Sequence, residues 1–148
     1  MMTDEGIYCP SVLEDLEECF EKYCPVKMFL DIGSGTGRVL GLAWRKGATI
    51  RGVEIEDDFY KHTDFQNWVT HGNYKDIDFS IYDIIYYFMK GIKDEDELAK
   101  KINKEARGIV IIYRRGSSNE EVKEFLAKLE GFEVVDTFIY TYILKRIQ

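Results

Sequence analysis

From Ser11 to Tyr23 the apolar residues Val12, Leu16, Cys19, Phe20 and Tyr23 recur at helical spacing, and Ser11 with Glu14 fits an S-x-x-E capping box. Pro25 ends that helix. Lys27 to Ile32 reads as a short apolar strand running into a glycine-rich turn, and Arg38 to Lys46 as a helix stopped by Gly47. Thr49 to Ile55 has strand character, and Glu56, Asp57 and Asp58 supply the acidic first turn of a helix reaching toward Trp68. A brief strand around Val69 and Thr70 leads to Gly72-Asn73, Asp76 to Tyr82 crosses as a loop, and Ile84 to Phe88 forms a further strand. Asp94 to Ala106 is a charged helix, with Glu97 and Lys101 spaced for an ion pair and Gly108 as its stop. The apolar strand Ile109 to Ile112 follows. Ser118 and Glu121 cap a last helix whose core face is Val122, Phe125, Leu126 and Leu129, closed by Gly131. Phe132 to Leu144 is β-rich, with a reversal near Phe138 to Thr141.

Strands alternating with helices predict an α/β fold with a mainly parallel sheet covered on both faces. The last connection is too short for a parallel crossover, so the chain should end in an antiparallel strand or hairpin. In such sheets ligands bind beyond the carboxyl ends of the strands, where the strand order reverses.

Composition narrows the picture. With 148 residues, 45% hydrophobic, 14% aromatic and only two prolines, the chain is expected to form one compact domain over 1–148, residues 1–26 supplying an N-terminal helical segment packed on it. Lys and Arg total 20 against 27 Asp and Glu, a net charge of −7, so a nucleic-acid partner is not favoured. No apolar stretch is long enough to span a bilayer and the first residues, MMTDEG, are acidic, which leads to the expectation of a cytoplasmic protein with no membrane insertion. Cys9, Cys19 and Cys24 form no C-x-x-C pair and suit free thiols in a reducing compartment; with His62 and His71 far along the chain, no metal site is expected.

The most informative segment is Phe29-Leu-Asp-Ile-Gly-Ser-Gly-Thr-Gly-Arg38, where Gly33, Gly35 and Gly37 alternate between a strand and a helix. Glycines there permit a tight turn and close ligand approach, the context a nucleotide-type cofactor requires. The spacing is G-x-G-x-G rather than the dinucleotide G-x-G-x-x-G, and Asp31 lies two residues before the first glycine. A carboxylate at that place repels a pyrophosphate and attracts an ammonium group, so the turn suits a cofactor that carries an amino acid.

D-I-G-S-G-T-G-R resembles motif I of the class I S-adenosylmethionine-dependent methyltransferases. The resemblance implies a Rossmann-like three-layer sandwich and S-adenosylmethionine as cofactor, its methionine part wrapped by Asp31, Gly33, Ser34, Gly35 and Gly37. Glu54, 21 residues after Gly33, matches the acid that binds the ribose hydroxyls in that family, and Gly72-Asn73 resembles its adenine site, which places Asn73. Asp83-Ile-Ile-Tyr-Tyr-Phe88 resembles motif IV, which implies that Tyr86, Tyr87 and Phe88 face the transferred methyl group. Tyr8-x-Pro10-Ser11 and DFSIYDIIYYF are similar to small lysine methyltransferases acting on the ATP-synthase c subunit, which implies a protein lysine as one acceptor, with other small-molecule or protein substrates left open, and adds Tyr8 to the substrate-facing residues; Thr36 stands where that group carries Asp.

Methyl transfer from a sulfonium is an in-line displacement in which the protein chiefly aligns donor and acceptor. Aromatic faces such as those of Tyr86, Tyr87 and Phe88 can hold a lysine by cation–π contact. No [N/D]-P-P-[Y/F] follows the fourth strand, and the dipeptides Cys9-Pro10 and Cys24-Pro25 do not match a Pro-Cys nucleophile, so amide, adenine and cytosine acceptors lose support. Two other readings share these residues. One is a non-catalytic cofactor-binding or regulatory domain with the same fold; the other is a nicotinamide-dependent oxidoreductase, for which no hydride-transfer residue suggests itself.

Overall fold

The apolar runs become strands of one sheet buried on both faces. The computed structural model describes residues 11–147 and the backbone of two short strands, β1 (Met2–Thr3) and β2 (Gly6–Ile7), which pair antiparallel. There follow α1 (Leu13–Tyr23), β3 (Met28–Ile32), α2 (Arg38–Arg45), β4 (Thr49–Glu54), α3 (Asp57–His62), β5 (Val69–His71), β6 (Ile84–Phe88), α4 (Glu95–Glu105), β7 (Ile109–Tyr113), α5 (Asn119–Lys128), β8 (Phe132–Phe138) and β9 (Thr141–Arg146).

The main sheet has seven strands in the order β5-β4-β3-β6-β7-β9-β8. The first five run parallel, and β9 and β8 form the antiparallel hairpin anticipated from the short final connection. From β3 the chain winds outward to β4 and β5, then returns to the other side of β3 for β6 and β7. The order therefore reverses between β3 and β6, where Asp31 lies opposite Tyr86 in register.

Side-chain alternation sends neighbouring residues to opposite faces. Phe29, Ile84, Tyr86, Ile111 and Tyr113 pack with Leu16, Cys19 and Phe20 of α1 and Leu40 and Ala43 of α2. Leu30, Ile85, Tyr87, Val110 and Ile112 pack on the other face with Leu98 and Ile102 of α4 and Val122 and Phe125 of α5. Three layers result. Cys19 and Cys24 are free and buried on the first face, and burial pushes the Cys24 thiol up to about 12, so it stays protonated and behaves as a small apolar side chain. Among the described residues, no helix is long and apolar enough to cross a membrane.

Four local expectations are corrected. The capping box at Ser11 does not form: α1 begins at Leu13 without a side-chain cap, and the Ser11 hydroxyl shares a 2.5 Å hydrogen bond with Tyr86 instead. The helix after Glu56 ends at His62 rather than near Trp68, because the Thr63 hydroxyl donates to the Thr36 carbonyl at 3.1 Å and Phe65 is drawn against Gly37 and Gly41; only a 3-10 turn, Gln66–Trp68, remains beyond it. The 76–82 segment is not plain loop, since it carries the end of one 3-10 turn, Tyr74–Asp76, and all of another, Phe79–Ile81. Lys101 pairs with Glu105 at 2.8 Å and lies over the Phe79 ring, leaving Glu97 to Lys100. At α5 the Ser118–Glu121 capping box is present as read.

Candidate functional site

The turn after β3 uses its glycines for conformation. Gly33, Gly35 and Gly37 have φ of 72°, 58° and 90°, left-handed values that a side chain disfavours. The Gly33 and Ser34 N–H groups donate to the Val53 carbonyl at 2.9 and 3.1 Å, tying the turn to β4, and the Gly37 carbonyl accepts from Gly41 in the first turn of α2. A Cβ at Gly33 would meet nothing within 4 Å, whereas one at Gly37 would sit 2.6 Å from Thr63 Oγ1. Gly33 thus faces open space, while Gly37 is packed.

Two acids flank this turn. Asp31, near the end of β3, is 3% exposed and has no hydrogen-bond partner among the described residues; burial pushes its carboxyl well above the usual range, and the nearby Glu54 charge adds to the effect. Glu54, at the end of β4, is 5% exposed. Its Oε1 accepts the Gly35 N–H at 2.6 Å and its Oε2 the Glu56 N–H at 2.9 Å. Burial raises the Glu54 carboxyl, and these amide donors pull the other way. Two carboxyl groups that burial keeps from ionising comfortably form a place where a cation is favoured. The Ser34 hydroxyl is also buried without a hydrogen-bond partner among the described residues.

Asp31, Gly33, Ser34, Tyr86 and Phe88 line one small cleft of about 40 Å³ at the β3–β6 reversal. Gly35, Gly37 and Glu54 do not line it: Glu54 takes the Gly35 N–H beside the cleft, and Gly37 closes the turn behind. Asn73 stands on the same sheet edge, next to Gly72, whose N–H donates to the Glu54 carbonyl at 3.0 Å; its own side chain accepts the Lys75 N–H and caps a 3-10 turn. Tyr87 is not brought to the cleft. It points to the opposite face, where its hydroxyl donates to Glu95 at 2.6 Å and accepts the Ile92 N–H. Tyr8 lies outside the described residues.

Ser11, Thr36, Arg38 and Val39 also line the cleft, and none was singled out from the sequence as a site residue. Arg38 and Val39 open α2 directly after the glycines, so the motif itself pointed at them. Ser11 reaches the cleft through a partner 75 residues away, which no local pattern reveals.

No protein-family model matches the sequence, and no curated protein matches it either. Solved structures do match. An RNA methyltransferase from Salinibacter ruber, in complex with S-adenosyl-L-homocysteine, aligns with a TM-score of 0.64 at 17% identity, covering 95% of this chain and 94% of its own. A ribosomal-protein methylase from Lactobacillus delbrueckii subsp. bulgaricus gives 0.69 at 15% identity, covering 90% and 78%. Magnesium protoporphyrin IX methyltransferase from Synechocystis PCC 6803, with bound SAM, gives 0.62 at 14% identity, covering 89% and 76%. The chain has the Rossmann-like α/β fold of the class I S-adenosylmethionine-dependent methyltransferases. These three act on RNA, protein and a porphyrin, so the shared fold carries no information about the acceptor.

Proposed function

We propose that this protein is an S-adenosylmethionine-dependent methyltransferase. The observation that carries the reading is the buried Asp31 carboxyl, partnerless among the described residues, beside an open Gly33 at the reversal of strand order. The residues present fit the cofactor. Asp31 and the Gly33–Gly35 turn would hold its amino-acid end, with Ser34 as a free hydroxyl. Glu54 would take the ribose hydroxyls on lone pairs left over from its two amide contacts, and Gly72-Asn73 would meet the base. The bound group supplies an electrophilic methyl; the chain's own task is to align an acceptor and exclude water.

The acceptor we favour is an amine, in the form of a protein lysine. An open groove of about 640 Å³ runs between α1 and the β8–β9 hairpin, lined by Glu14, Asp15, Glu18, Glu21 and Asp136 with Lys22. It starts beside the Ser11 end of α1, which borders the cofactor cleft. Acidic walls lower the energy of a cationic chain approaching along them.

Isothermal titration with S-adenosylmethionine and S-adenosylhomocysteine tests the cofactor assignment. Binding is expected for wild type and strong weakening for Asp31→Asn; no heat at about millimolar ligand would sink the assignment. Transfer of labelled methyl to lysine-rich peptides, read by mass spectrometry, tests the acceptor. A second reading, a domain that binds the cofactor without catalysis, is favoured by the narrowness of the cleft and by Tyr86, whose hydroxyl is already committed to Ser11. Binding with no labelled product in any extract would select it. The fold comparisons give no support to the nicotinamide-dependent reading.

A further inference from the structure

The opposite edge of the sheet, where the parallel strands begin, carries a second cleft of about 420 Å³. That size lies in the range of roughly 300–1,000 Å³ typical of small-molecule sites. Lys27, Arg107, Lys145 and Arg146 line it, in a chain whose net charge is −7. Arg146 is committed to backbone carbonyls at the end of α4. The side chains of Lys27, Arg107 and Lys145 form no ion pair or hydrogen bond among the described residues. The one acid of the cleft, Asp83, has its Oδ2 occupied by the Met28 N–H at 2.8 Å. The floor is firm: the Asp83 carbonyl accepts the Ile109 N–H at 2.9 Å, and a Cβ at Gly108 would overlap that carbonyl.

We infer that this cleft binds a compact polyphosphate, free or carried by a nucleoside. Three cations at three strand ends line it without an ion pair among the described residues, and unpaired cations in an acidic protein are a local field waiting for an anion. An extended polyanion would also run over the acidic remainder of the surface and be repelled. A compact one feels mainly the charges within a Debye length of about 8–10 Å. The inference does not depend on the methyltransferase reading, because the two sites lie on opposite sheet edges.

The test uses the full chain at low ionic strength, titrated with sodium tripolyphosphate and, separately, with ATP in the presence of saturating S-adenosylhomocysteine. Saturable binding of at least one probe is expected, weakened about tenfold or more in the triple variant Lys27→Gln, Arg107→Gln, Lys145→Gln. These side chains are exposed and form no ion pair or side-chain hydrogen bond among the described residues, so the variant keeps its fold. A control triple variant, Lys93→Gln, Lys100→Gln, Lys123→Gln, removes the same charge elsewhere and should stay within about twofold of wild type. Tighter binding of ATP assigns the nucleoside form; equal or weaker binding assigns the free form. The inference is overturned if neither probe saturates, if the cleft variant binds like wild type, or if the control variant weakens binding as much.

Discussion

Glu54 holds the glycine turn from the neighbouring strand, accepting the Gly35 N–H at 2.6 Å on one oxygen and the Glu56 N–H at 2.9 Å on the other. One side chain thus sets both the shape of the turn and the start of the segment after β4. Glu54→Ala leaves two amides without that acceptor and should destabilise by about 1–3 kcal/mol, the relief of a buried carboxylate offsetting part of the loss. Glu54→Gln keeps one acceptor oxygen but turns an N–H₂ toward the other amide, so its denaturation midpoint should fall between wild type and Ala.

Gly33 and Gly37 separate turn geometry from ligand approach. Gly33→Ala puts a methyl into open space at φ 72°, costing only backbone strain of about 1–2 kcal/mol. It should nevertheless remove most S-adenosylhomocysteine binding, because the methyl occupies the approach to Asp31. Gly37→Ala adds a clash with Thr63 Oγ1 to its strain at φ 90° and should cost more, about 2–4 kcal/mol. Denaturation and titration of both variants check the contrast. If Gly33→Ala binds like wild type, the turn is only a turn.

Asp31 predicts a pH signature. Its folded carboxyl is raised by burial and by the Glu54 charge, so the native state holds this proton more tightly than the unfolded chain. Its contribution to stability is therefore fully present below the ordinary aspartate value of about 4 and is lost as pH rises through the folded value. Carboxyls lowered by their partners, such as Asp57 beside Lys61 and Asp136 beside Lys22, work in the opposite direction. The difference between wild type and Asp31→Asn isolates the site: the variant should gain relative stability as pH rises above the aspartate range. Below the folded value of Asp31, binding a ligand with an ammonium group should expel its proton, measured as buffer-dependent heat. A flat difference curve would contradict the burial of this group.

The element order and the sheet edge that carries the candidate site were legible because apolar periodicity and the G-x-G-x-G turn are local signals. Gly33, Glu54 and Phe88 fall at or just past strand ends on one sheet edge, as the alternation of strands and helices required. What was not legible depends on partners far along the chain. Ser11 reads as a helix cap but is taken by Tyr86; α3 is cut short by Thr63 reaching back to Thr36. Tyr86 and Tyr87 alternate across β6, and only the packed sheet shows that Tyr86 faces the cleft while Tyr87 faces Glu95.

Tyr86 joins the core to the cleft. Its ring packs edge-on to Phe20 at 5.9 Å and stacks with Phe29 at 6.1 Å, while its hydroxyl meets Ser11. Tyr86→Phe preserves the ring contacts and leaves the Ser11 hydroxyl short of a partner, so a loss of about 1–2 kcal/mol is expected. Cofactor affinity should hold within a few-fold, and a larger fall in methyl-transfer rate would place the hydroxyl beside the acceptor.

Arg146, at the end of β9, closes the far end of α4. Its Nε donates to the Ala106 carbonyl at 3.0 Å and Nη2 to Asn103 at 2.9 Å, with its guanidinium 4.7 Å over the Phe132 ring. The last carbonyls of a helix have no partner inside it and carry the negative end of its dipole, so a planar fork of donors answers both needs. Arg146→Ala should therefore cost about 1.5–3 kcal/mol in denaturant unfolding. Arg146→Lys should recover less than half of that, since one ammonium cannot span both carbonyls or stack on Phe132. S-adenosylhomocysteine binding should be unchanged in either variant, because α4's end and the glycine turn lie on opposite edges of the sheet. Full recovery by lysine would mean that charge alone, not the shape of the fork, caps the helix.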